Sequence, residues 1–94
     1  MGIYIFNYMD DETLKLMGYV ISSSYRVEVM KTLIDKPKIP SKIAADTGIK
    51  LNHISNVLNQ LKEKGLIRLI NPEVKKGRLY ELTDVGLEIA KELK

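Results

Sequence analysis

The residues of this chain best equipped for chemistry are amides and cations. Asn52, Asn56 and Asn59 stand four and three residues apart, with His53 and Ser55 among them. On a helix that spacing puts the three amides on one ridge. Each amide carries a donor and an acceptor side by side, which matches the N6 and N7 edge of adenine. Lys75, Lys76 and Arg78 bracket Gly77, where no core can use them. Cations so placed seat phosphates or enter a minor groove, although a plain solvated turn has the same composition. Ser41 and Lys42 follow Pro40 at the start of a helix, where a hydroxyl, unpaired N–H groups and the positive dipole end suit a phosphate. The alternative there is an ordinary helix start. Catalytic sets are not legible: there is no cysteine, one histidine, and neither a nucleophile–base pair nor a phosphate-cradling glycine loop. His53 has no ligands at coordinating spacing, so no metal, no cofactor and no enzymatic activity are expected.

Charge is distributed unevenly. Between Lys36 and Arg78 ten basic residues face three acidic ones, a surplus of seven, whereas residues 1–35 and 79–94 each carry a deficit of two. A polyanion is drawn to such a middle, because phosphate neutralisation and counterion release supply sequence-independent affinity for nucleic acid. A lysine-rich solvated surface is the competing explanation. At 94 residues with 45% hydrophobic and 29% charged, the chain suits one domain, 1–94, and not a disordered tail. No apolar run approaches membrane-spanning length and no secretory signal is visible, so the expected location is cytoplasmic and no membrane partner is expected.

The elements that must position these residues follow from periodicity and punctuation. Acids at Asp10, Asp11 and Glu12 favour a helix start, with Gly18 leaving its end open. Ser22 to Ser24 offer caps for a second helix through about Asp35, with Tyr25, Val29, Met30 and Leu33 as its apolar stripe and Pro37 as its stop. Pro40 opens a third helix that ends at Gly48. Leu51, Ile54, Val57, Leu58 and Leu61 define a fourth over 51–64, closed by Gly65. Residues 66–70 and 78–82 read as antiparallel strands around the loop 71–77, and Thr83 caps a last helix whose face is Val85, Ile89, Ala90 and Leu93. Residues 1–9 show no clear period.

The expected fold is mainly α with a small β-hairpin, in the order α-α-α-α-β-β-α. Two short helices around a glycine turn, followed at once by a basic hairpin, are the parts of a winged helix-turn-helix. If Ile54, Val57, Leu58 and Leu61 face the core, then Asn52, His53, Ser55, Asn56 and Asn59 point outward. A helix exposed only for solubility would carry Lys and Glu there, since Asn is a poor helix former. The expected function is therefore sequence-specific binding of double-stranded DNA, with the helix at about 51–64 in the major groove and the wing at 71–78. The alternative is a winged helix that docks other proteins, for which Leu51 is the one candidate anchor.

The runs Ser24-Tyr25-Arg26-Val27-Glu28-Val29-Met30-Lys31-Thr32-Leu33, Ile39-Pro40-Ser41-Lys42-Ile43-Ala44, His53 through Leu61, Lys64-Gly65-Leu66-Ile67 and Tyr80-Glu81-Leu82-Thr83-Asp84-Val85-Gly86 resemble prokaryotic winged-helix transcriptional regulators. The nearest groups are arsenic-repressor-like and multiple-antibiotic-resistance-regulator-like. The resemblance covers roughly residues 22–90. It implies homodimers on paired half-sites, but the cysteine metal sites of the first group and the longer terminal helices of the second are absent. Residues 1–21 and 84–94 are the candidate dimerisation segments, because Ile3, Tyr4, Ile5, Phe6, Tyr8 and Met9, with Ile89, Ala90 and Leu93, are expected to form apolar surface that one small domain leaves uncovered. No small-molecule effector pocket, operator or sign of regulation is legible.

Overall fold

Asp10 starts the first helix: its Oδ1 accepts the Thr13 N–H at 2.8 Å, and that bond holds its carboxyl below the usual carboxylate range. A computed structural model describes residues 9–93. The apolar residues Ile3 to Tyr8 that figure in the dimer expectation lie outside the described residues. Helix α1 (Asp11–Ile21) runs through Gly18, because Met17 and Val20 anchor its inner face on both sides of the glycine. Burial of that face outweighs a propensity cost of about 1 kcal/mol.

Helix α2 (Ser24–Thr32) is capped by Ser23, whose hydroxyl accepts the Arg26 N–H. It stops short of the expected Asp35. Past buried Leu33 the chain turns to bring Lys38 beside Tyr80, where the two residues exchange both N–H···O bonds at 3.0 Å. This bridge between residues 42 positions apart in the chain is what ends the helix early. Tyr25, expected on the core stripe, is exposed; Val29 and Met30, with Val27 half-buried beside them and Leu33 just past the helix end, carry α2 into the core.

Helix α3 (Pro40–Thr47) opens on proline and closes at Gly48, whose φ of 77° only glycine adopts without strain. The Thr47 hydroxyl donates to the Ile43 carbonyl and accepts the Ile49 N–H, bracing the turn. Helix α4 (Leu51–Glu63) buries Ile54, Val57, Leu58 and Leu61, the face read from periodicity. Strands β1 (Ile67–Leu69) and β2 (Tyr80–Leu82) pair antiparallel, with Ile67 opposite Leu82 and Leu69 opposite Tyr80. They are shorter than expected: past one further ladder bond, from Ile70 N to the Leu79 carbonyl, the Asn71 side chain takes over, accepting from Leu79 N and donating to the Gly77 carbonyl.

Helix α5 (Asp84–Ala90) is locked to this hairpin by Thr83. Its hydroxyl donates to the Gly65 carbonyl at 2.7 Å and accepts the Gly86 N–H, while its own N–H donates to the Leu66 carbonyl. Gly86 lies so close to that carbonyl that a Cβ would fall well inside van der Waals distance. The terminal apolar stripe is not left uncovered as expected. Ile89, Ala90 and Leu93 are buried, because α1 and α2 both pack against α5.

Candidate nucleic-acid interface

With its apolar face committed to the core, α4 turns Asn52, His53, Ser55, Asn56 and Asn59 out to solvent. At 3.6 residues per turn, Asn52, Asn56, Asn59 and Glu63 fall within about 60° of one another, directly opposite the buried face. The asparagines therefore form the outward ridge. Glu63, which the sequence reading passed over, ends it. Ser55 lies beside the ridge and donates its hydroxyl to the Leu51 carbonyl at 3.2 Å, leaving its lone pairs to accept.

His53 lies on the other flank, toward α2. Its ring meets that of Tyr25 at 5.3 Å between centroids and 50° between planes. The two rings line an open cleft of about 500 Å³ with Ser24, Glu28, Lys50 and the helix-turn-helix turn. His53 is thus a flank residue, apart from the amide ridge. Lys50, exposed just before α4, and Lys62, exposed near its end, add charge beside the ridge. The sequence reading named neither; both belong to the basic middle of the chain, whose surplus of charge is the signal that could have marked them.

The wing cations divide. Lys75 and Lys76 are exposed and form no ion pair among the described residues. Arg78 is half-buried, and its Nε donates to the Val74 carbonyl at 3.0 Å, so it braces the loop that presents them. Ser41 and Lys42 are exposed at the start of α3, and the Lys42 ammonium reaches Asp46 at 2.9 Å.

Two polar clusters that sequence inspection did not find hold these elements in place. Lys38 is 6% exposed, and its ammonium donates to Thr32 Oγ1 and Asp46 Oδ2, both at 2.8 Å, with Asp35 at 3.5 Å. Burial works against its charge, but the Asp46 hydrogen bond and the two carboxylates outweigh it and push the Lys38 pKa up. The same hydrogen bond, seconded by Lys42, holds the Asp46 carboxyl down. One buried ammonium thereby ties the end of α2 to α3, while its backbone pairs with β2. On the other side, Arg26 donates to Gln60 Oε1 at 3.2 Å, to the Tyr19 carbonyl at 2.8 Å and to Ser22, with its guanidinium 3.8 Å from the Tyr19 ring centre. It joins α1, α2 and α4.

Three helices around a glycine turn with a bridged hairpin behind them make a winged helix-turn-helix. Residues 25–94 match a family model of that description, and the chain belongs to the winged helix-turn-helix family. The resemblance read from the sequence is borne out at that level. Among solved structures, a mutant of ZitR from Lactococcus lactis is 24% identical over 74% of this chain and 49% of that one, with a TM-score of 0.68. An apo-form mutant of the same protein is 21% identical over 83% and 64%, with a TM-score of 0.67. The homodimeric winged helix-turn-helix DNA-binding domain Mb0332 from Mycobacterium bovis, described as a possible ArsR-family transcriptional regulator, is 19% identical over 86% and 79%, with a TM-score of 0.64. At these identities the likeness is one of fold. The chain spans about half the length of the first of these ZitR chains. No curated protein matches it.

Proposed function

We propose that this protein is a sequence-specific transcriptional regulator that lays α4 in the major groove of duplex DNA. The observation that carries the proposal is the outward ridge of Asn52, Asn56 and Asn59, amides in place of solubilising Lys and Glu, with exposed Lys50 and Lys62 beside it. The N-terminal end of α4, where Asn52 follows exposed Lys50, is the end that enters the groove. Ser41, Lys42, Lys75 and Lys76 contact the backbone, and His53 and Ser55 border the bases. Arg78 acts on the wing from within, through Val74.

The protein works as a homodimer, as the Mycobacterium bovis domain is described to be. With the stripe of α5 buried, the shared surface falls to the outer face of α1, where Leu14 and Ile21, seven residues apart, are exposed together. A two-fold pair places two copies of α4 about 34–36 Å apart on successive turns of DNA. Among the described residues no helix is long and apolar enough to cross a membrane, and the cytoplasm is the proposed location. No catalytic role or cofactor is proposed.

Binding-site selection from random duplex DNA at two salt concentrations tests the proposal. Enrichment of a paired motif, with affinity that falls as salt rises, is expected. Recovery of unenriched DNA at both salts overturns it.

A further inference from the structure

We infer that α4 reads A·T pairs, with Leu51 packing on thymine C5 methyl groups beside adenines held by the asparagine amides. The inference rests on the DNA-binding reading above and names the bases that reading leaves open. Leu51 is the first residue of α4 and 51% exposed, while the other apolar residues of that helix are buried. An apolar side chain at the N-terminal end of a groove-reading helix, next to Asn52, has one apolar feature to meet on a major-groove edge: the methyl group of thymine. The partner base in the same pair offers the N7 acceptor and N6 donor that an amide satisfies in one bidentate contact.

The arginines point the same way. Guanine is most often read by bidentate lysine or arginine; α4 carries no lysine before Lys62 and no arginine. This chain has three arginines, and each is held by an acceptor of its own fold: Arg26 by Gln60 and the Tyr19 carbonyl, Arg68 by Glu81, and Arg78 by the Val74 carbonyl. Short of Glu63, the outward ridge offers amides that match adenine, and Leu51, exposed on the flank shared with Ser55, matches thymine.

The test takes the preferred duplex from selection with the full chain and replaces its thymines one at a time by deoxyuridine, which removes only the C5 methyl. Loss of affinity of about fourfold at one or two thymines per half-site is expected, the worth of one buried methyl group. The same replacements should cost Leu51→Ala nothing. Circular dichroism checks that Leu51→Ala is folded, and the deoxyuridine series on the unaltered protein stands without it. A motif with G·C pairs throughout, indifference to uracil at every thymine, or equal losses in Leu51→Ala would each overturn the inference while leaving DNA binding intact. Absence of any sequence preference would overturn the DNA-binding reading too.

Discussion

Replacing Gly86 by alanine should unfold the junction between wing and last helix, although alanine is the better helix former. The added methyl would meet the Leu66 carbonyl oxygen, a backbone atom that already accepts the Thr83 N–H at 3.1 Å and belongs to a residue with no solvent exposure. Neither partner can swing aside as a side chain would, so α5 must retreat from the hairpin. Overpacking of this kind costs about 1–3 kcal/mol. Retreat also breaks the bond from Gly86 N to the Thr83 hydroxyl, a cap worth about 1 kcal/mol. Alanine returns up to about 1 kcal/mol in helix propensity, which offsets the lost cap and leaves a net loss of about 1–3 kcal/mol. Against the roughly 5–14 kcal/mol expected of a domain this size, that is a large fraction. At about 4–8 °C per kcal/mol, the thermal midpoint should fall by about 4–24 °C. Gly18→Ala is the internal control: a Cβ there meets nothing within 4 Å, so the same substitution should raise stability by up to about 1 kcal/mol. Thermal melts followed by far-ultraviolet circular dichroism, with urea titrations alongside, measure both. A Gly86→Ala midpoint within about 3 °C of the unaltered protein would refute the close approach.

Lys38→Met removes the donor shared by Thr32 and Asp46 and should cost about 1–3 kcal/mol in urea unfolding. A neutral result would mean the buried ammonium is replaceable by any apolar stem. Asp10 and Asp46 have carboxyls held below their ordinary range in the folded state, so their contribution is present above the unfolded value near 4 and lost as pH falls through the folded one. Urea stability should therefore decline below about pH 4, and less steeply in Asp10→Ala; an unchanged slope in that variant would remove Asp10 from the account. Neutralising Lys75 and Lys76 together should weaken binding to all duplexes alike and lower the salt dependence of log K by about 2. An undiminished slope would make the wing tip a bystander.

How much of this was legible beforehand depended on how local the deciding physics was. Pro40 and Gly48 bound α3 through their own backbone preferences, and the spacing of Ile54, Val57, Leu58 and Leu61 orients α4 without outside help, so the asparagine ridge could be read directly. Tyr25 has the right spacing for the core stripe of α2 but is exposed, and its ring meets His53 at the edge of α4 instead of entering the core. The end of α2 was misplaced because a bridge to Tyr80, far along the chain, decides it. Lys38 reads as one more surface lysine until the fold brings Thr32 and Asp46 around it. Ile89, Ala90 and Leu93 were an accurate helical face assigned to the wrong neighbour: α1 and α2 cover it within the same chain. Arg78 has the composition of a wing contact and the geometry of a brace. The junction at Gly86 was visible as part of a family resemblance, while its reason, the approach to the Leu66 carbonyl, is a distance that only the folded chain has.

The central claim is that the ridge on α4 selects bases while other residues supply general affinity. Parallel selections from random duplex DNA with the unaltered protein and with the triple variant Asn52→Ala, Asn56→Ala, Asn59→Ala test it most directly. The account predicts a defined motif for the first, and for the second a loss of that motif with salt-dependent binding to all duplexes retained, each paired contact having been worth about 1–3 kcal/mol of discrimination. Enrichment of the same motif by both proteins would contradict it.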